Sequence, residues 1–178
     1  MTIFQKIRRS VITLVIIMIC YILQSTLFRY IDFAGITPNL LLIATASLSL
    51  MRGEREGIGI GFVCGLVLDV FSSNILGLFA LLYMGIGFGC GLLHRLFYSE
   101  KIALPFMVIL FSDLALSFIC FFLFFLIRGN FHFLYYLQSI MLPEAIYTSA
   151  VSLGLYPLLL SLNGYLEDIE QRSAKKFV

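Results

Sequence analysis

Three carboxylates stand inside or beside long apolar runs: Asp69, Asp113 and Glu144. An acidic side chain at the middle of a helix in hydrocarbon costs about 2.5 to 3.5 kcal/mol, so each needs a polar partner, a wet cavity or another protein helix beside it. Asp69 falls toward the outer end of the third apolar run, where its carboxylate can cap the turn Ser72, Ser73 and Asn74 by accepting backbone amides. Asp113 lies near the middle of the fifth run, where a Ser or Tyr hydroxyl would satisfy it, and Glu144 lies in the outer part of the sixth. The alternative to these local roles is a polar cluster that orders an interface or binds a ligand. A proton relay finds no support, because no second carboxylate or histidine lies one helical turn from Asp113.

Other chemistry-bearing patterns are missing from the chain. It holds no GxSxG, no HExxH, no GxGxxG and no cysteine at a suggestive spacing from a histidine. His94 adjoins Arg95 at the end of the fourth run and His132 sits in an aromatic loop, so both read as interfacial residues rather than metal ligands. Cys20, Cys64, Cys90 and Cys120 all fall in apolar runs without a CxxC pair, which indicates neither a disulfide framework nor a zinc site. They read as small hydrophobes. The residues therefore imply no enzyme, no metal and no cofactor.

The elements that must position these carboxylates follow from composition. Of 178 residues 61% are hydrophobic and 12% are charged, against roughly 25% charged in an ordinary soluble domain. Net charge is +2, with 12 basic against 10 acidic residues, so no nucleic-acid or polyanion partner is indicated. A membrane-spanning helix takes about 20 residues, which leaves room for about six spans in a single membrane domain, residues 1–178. The apolar runs place them at about 10–28, 36–51, 57–72, 75–93, 102–127 and 138–162, with a kink available at Pro157. The first run is preceded by Lys6, Arg8 and Arg9 but followed by Gln24, Ser25 and Thr26 rather than a small-residue cleavage site, so it reads as an uncleaved helix. Pro38 opens the second run, which is short for a span unless it borrows from the preceding loop.

Positive charge sets the orientation, because cytoplasmic loops retain Lys and Arg. One face holds Lys6, Arg8, Arg9, Arg52, Arg55, Arg95, Lys101, Arg172, Lys175 and Lys176, and the other only Arg29 and Arg128. Both termini are thus expected in the cytoplasm, with Tyr30, Tyr98, Tyr135, Tyr136 and Tyr165 near the interfaces. Glycines concentrate in the third and fourth helices. Gly57, Gly61 and Gly65 recur at spacing four, as do Gly85 and Gly89, and Gly87 and Gly91. Lipid offers no hydrophobic drive for helix association, so small residues at this spacing let backbones approach closely. The packing face is expected to comprise Gly57, Gly61 and Gly65 with Gly77, Gly85 and Gly89. It reads as an intramolecular contact between the two helices, with a homodimer face as the alternative.

The run Pro38-Asn39-Leu40-Leu41-Leu42, then GxxxGFxxGLxxD ending at Asp69, then Leu76 to Leu81, resembles the rod-shape-determining MreD family of bacterial inner-membrane proteins. Leu142-Pro143-Glu144-Ala145-Ile146-Tyr147, followed by Tyr156-Pro157-Leu158, is similar to the corresponding family segment. Asn39 stands where the family often has Asp, and Thr148 where it often has Asn; both keep a polar group. The resemblance implies a multi-pass protein of the cytoplasmic membrane and a non-enzymatic component of the cell-wall elongation complex. Its implied partners are the bitopic protein MreC, the actin-like MreB, and the RodA glycosyltransferase with its penicillin-binding transpeptidase. It also implies a fold like that of the substrate-binding components of vitamin transporters. That supplies a second reading, a solute-binding subunit in which Asp69, Asp113 and Glu144 contact a ligand. Such subunits dock through small residues at spacing four on the first helix, and Val11 to Leu27 has no such pair. On either reading Asn39, Asp69, Asp113 and Glu144 are the candidate polar or interface residues.

Overall fold

Backbone amides and carbonyls in hydrocarbon must be bonded within their own segment, which leaves a chain with such apolar runs only the helix. The computed structural model describes residues 3–27, 37–72, 76–96, 103–128 and 136–175, and among these every regular element is helical. The six α-helices in order are α1 (Ile3–Ile22), α2 (Leu40–Arg52), α3 (Glu54–Ser72), α4 (Leu78–Leu92), α5 (Ala103–Arg128) and α6 (Leu142–Lys175). A π-helical turn, Leu23–Leu27, continues α1, and another, Leu137–Met141, leads into α6. Arg29, Tyr30, Ser73, Asn74, Tyr98, Lys101, His132, Tyr135 and Lys176 lie outside the described residues.

Helix ends depart from the apolar runs where capping chemistry overrides hydropathy. The second helix borrows nothing from the preceding loop: Asn39 is its N-cap, its side chain accepting from the Leu42 amide, so Pro38 stands before the cap rather than inside the helix. Gly53 alone separates α2 from α3, at φ 88°, a left-handed conformation that a side chain would strain. The fourth helix starts at Leu78 because Gly77, at φ 96°, breaks the run before it. The sixth runs on to Lys175, through Pro157, well past the end of its apolar stretch.

All residues from Leu40 to Met51 are buried, and α2 touches each of the other five helices. It is therefore the axis of the bundle. Around it, the most extensive contact joins α3 to α4. Gly57 faces Gly87, Gly61 faces Tyr83, Gly65 faces Phe79 and Ala80, and Gly91 faces Glu54, an antiparallel seam that advances four residues at a time on both helices. A methyl carbon added at Gly61 would overlap the Tyr83 carbonyl, and one at Gly65 the Phe79 carbonyl. The helices touch backbone to backbone.

The expectation for α4 needs correction. Gly85 and Gly89 point into open space, with nothing within 4 Å of an added methyl, and the stripe on the seam is Gly87 and Gly91. Both pairs have spacing four, but they lie two residues apart and so on opposite sides of the helix. Gly77 likewise meets nothing; its role is the positive φ.

Polarity is inverted relative to a soluble protein. Asn39, Thr45, Asp69, Asp113, Thr148 and Asn163 are buried, whereas Val11, Ile19, Phe111, Phe122 and Leu158 are exposed. Three stretches, Ile7–Thr26, Leu104–Leu123 and Leu137–Leu166, are long and apolar enough to cross a membrane, and α2 and α4 are shorter apolar helices.

Replacing Gly61 or Gly65 by Leu is expected to separate α3 from α4 and destabilise the fold by about 3 kcal/mol or more. Gly85→Leu and Gly89→Leu should be tolerated. Protein recovered from the membrane fraction, and its melting temperature in detergent, measure the contrast; equal loss at all four sites would refute the seam.

Candidate functional site: a buried polar cluster

A helix N-terminus presents amides with no partner in its own helix, and α2 buries its N-terminus inside the bundle. Each amide there is satisfied. Asn39 N–H donates to Thr148 Oγ1 (3.1 Å) on α6, Leu40 N–H to the Pro38 carbonyl (3.2 Å) and Leu41 N–H to Gln24 Oε1 (3.2 Å) from the π-helical end of α1. Leu42 N–H donates to Asn39 Oδ1 (3.1 Å), and Ile43 N–H to the Asn39 carbonyl (3.1 Å). The same Asn39 Oδ1 accepts from the Tyr83 hydroxyl (2.7 Å). Tyr83 is fully buried, and its backbone carbonyl faces Gly61, so one residue of α4 serves both the seam and the cap.

Two carboxylates join this site from different helices. Asp113 and Ser117, four apart, share one face of α5; Glu144 and Thr148, also four apart, share one face of α6. Thr148 and Glu144 lie beside Asp113, and Ser117 lies beside Glu144. The lack of a second carboxylate along α5 was thus no guide, because Glu144 is delivered by another helix. Asp113 has 0% of its surface exposed. The hydroxyl beside it is that of Thr148 rather than of a Ser or Tyr, and no hydrogen bond of ordinary geometry reaches either carboxylate oxygen among the described residues. A buried carboxylate in that state costs stability rather than adding it.

Asp69 belongs elsewhere. Its carboxylate accepts from the amides of Gly77 (3.0 Å), Phe79 (3.1 Å) and Ala80 (2.9 Å), capping α4, while Ser73 and Asn74 of the expected turn lie outside the described residues. The spacing explains this: Gly57, Gly61, Gly65 and Asp69 form one stripe on α3, so the seam that brings α4 close also brings its N-terminus to the carboxylate. The positive end of the α4 dipole stabilises the negative charge. Of the four candidate residues, the structure brings together Asn39, Asp113 and Glu144, and sets Asp69 apart.

By sequence Arg52 is one charge of the basic face. Its side chain is 2% exposed and ties together four helices at the opposite end of α2. Its Nη1–H donates to Thr13 Oγ1 (2.7 Å) on α1 and its Nε–H to Asn163 Oδ1 (2.9 Å) on α6. Glu56 on α3 lies 3.8 Å from Nη1. Beside it, His94 Nδ1 contacts the Leu50 carbonyl (2.6 Å); a carbonyl only accepts, so Nδ1 carries the proton. Tyr83 and Arg52 carried no sequence signal beyond a polar group in or beside an apolar run. Thr148 stood out only as a departure from the family pattern. The hydrogen bonds of these three residues to Thr13, Asn163 and Asn39 each span more than 35 residues of chain.

Helices with polar groups inside and large apolar groups outside define a helical membrane protein. The family model described as rod shape-determining protein MreD matches residues 5–165, and the chain belongs to that family. The family is one of bacterial membrane proteins that determine cell shape, and is not a known enzyme family. No curated protein matches the chain, and no solved structure does.

The two kinds of carboxylate predict opposite effects on stability. Asp69→Leu orphans three amides and should cost about 3 kcal/mol or more, with Asp69→Asn losing less because its Oδ1 still accepts. Asp113→Asn and Asp113→Leu should leave the melting temperature unchanged or raise it. Melting curves of the four variants in one detergent test this; a large loss at Asp113 would mean that its carboxylate is held by the protein after all.

Proposed function

We propose that the protein is a non-enzymatic scaffold of the cell-wall elongation complex, held in the cytoplasmic membrane by six spans with both termini in the cytoplasm. In this reading it maintains rod shape by engaging MreC laterally, alongside the RodA glycosyltransferase, its penicillin-binding transpeptidase and MreB. The family match over residues 5–165 is the observation that carries it. The described architecture supports it: α3 and α4 lock against each other, polar groups brace both ends of α2, and apolar faces of α1 and α5 point outward, where another membrane helix can lie. The glycine face of α3 is filled by α4, so a homodimer would have to use a different face.

Orientation is testable by reporters fused to truncated chains. Fusions after Ser99 and Val178 should read cytoplasmic, and fusions after Asn74 and Asn130 external. An external C-terminus would overturn the six-span arrangement.

A tagged copy extracted from its native membrane should carry MreC and RodA with it, and recovery of an ATPase pair instead would favour the solute-binding reading. Asp113→Asn should retain both partner recovery and rod shape in a strain lacking the native copy. Loss of rod shape with partners still recovered would replace the scaffold account with one in which the cluster handles a proton or solute.

A further inference from the structure

A proline inside a helix has no amide hydrogen to give, so the carbonyl four residues before it loses its helical partner. Pro157 does this inside α6, and the carbonyl it frees is that of Leu153. Both residues lie near the middle of the apolar stretch Leu137–Leu166, at a depth where water cannot take the place of the amide. Side chains do not repair the loss. A short hydroxyl three or four residues on could bond the carbonyl, but those places hold Tyr156, which is buried against the bundle, and Pro157 itself. Among the described residues no side chain donates to Leu153. The residue stands on the outward side of α6, where Ile146, Leu153 and Leu158 are exposed together with Gly154 and Pro157. A methyl carbon added at Gly154 would meet nothing within 4 Å, so no described helix of this chain lies over that part of the face.

An acceptor left open in hydrocarbon is costly, and lipid chains carry no donor to meet it. A second copy brought face to face in the same membrane orientation does not meet it either. The residues it presents at that depth are again Leu153, Gly154 and Pro157, and its Ser161 hydroxyl lies about 12 Å further along the helix. The outward faces of α1 and α5 free no carbonyl in this way, since neither helix has a proline beyond its first turn. We propose that this face of α6 seats the single membrane helix of a bitopic partner, which donates a side-chain hydroxyl or amide hydrogen to the Leu153 carbonyl while Gly154 lets it come close. This rests on the scaffold reading, in which a partner lies against the bundle, and adds the face it takes and the chemistry of the contact.

The test places a photo-reactive phenylalanine analogue at Leu158 on α6, or at Phe111 on α5, in the full tagged chain in its native membrane. After irradiation, Leu158 should crosslink to MreC and Phe111 should not. Gly154→Leu covers the carbonyl without meeting a packed neighbour, so it should abolish MreC recovery at an unchanged melting temperature, whereas Gly89→Leu on α4 should leave recovery intact. Pro157→Ala returns the amide and closes the Leu153 carbonyl within α6. Without loss of melting temperature, it should lower MreC recovery about fivefold, the worth of one neutral hydrogen bond. Crosslinking from Phe111 alone, crosslinking from Leu158 to RodA in place of MreC, or full recovery with Gly154→Leu would overturn the proposal and leave the scaffold reading standing. Full recovery with Pro157→Ala would overturn the hydrogen bond to Leu153. If the unsubstituted chain recovers no MreC at all, the scaffold reading falls and this face with it.

Discussion

The structure is organised by a helix that is too short for its position. At 13 residues, α2 is about 20 Å long, against a hydrocarbon layer of about 30 Å, yet it is buried from Leu40 to Met51 and is touched by every other helix. Both of its ends therefore lie inside protein, where unsatisfied amides and carbonyls cost several kcal/mol each. The surrounding helices meet that demand with side chains. At one end Asn39, Gln24 and Thr148 take up the amides; at the other, Gly53 turns the chain, His94 meets the Leu50 carbonyl, and Arg52 draws Thr13, Glu56 and Asn163 together. These two polar groups sit at the two ends of one helix.

The α3–α4 seam solves a different problem. Between lipid-exposed helices there is little hydrophobic gain, so adhesion depends on contact area at short range, and glycine gives the shortest range available. Asp69 closes the seam where the stripe runs out, converting the approach of the two backbones into three hydrogen bonds at the start of α4. Because Tyr83 sits on the same seam and reaches Asn39, the position of α4 is transmitted to the cap of α2. Asp69 is thus paired and structural, while Asp113 is enclosed with the Thr148 hydroxyl and the Glu144 carboxylate beside it and no hydrogen bond of ordinary geometry among the described residues. A family whose task is to hold cell shape is well served by a bundle cross-braced inside by polar contacts and apolar outside.

The sequence by itself determined the class: a chain that is 61% hydrophobic and 12% charged, with apolar runs about 20 residues long, has only the helical membrane bundle open to it. It also determined the glycine face of α3, since Gly57, Gly61, Gly65 and Asp69 at spacing four must share one side of a helix. Only the tertiary structure decided which stripe of α4 meets it. Gly85 and Gly89 have the same spacing as Gly87 and Gly91, and periodicity within one helix cannot say which side a neighbour occupies. The polar partners were hidden for the same reason on a longer scale. Asn39 meets Thr148 across 109 residues, and Arg52 meets Asn163 across 111, so neither pair leaves a local pattern. Spacing along a chain records which residues share a face, but the match between faces is set by how helices of unequal length fill one another's gaps.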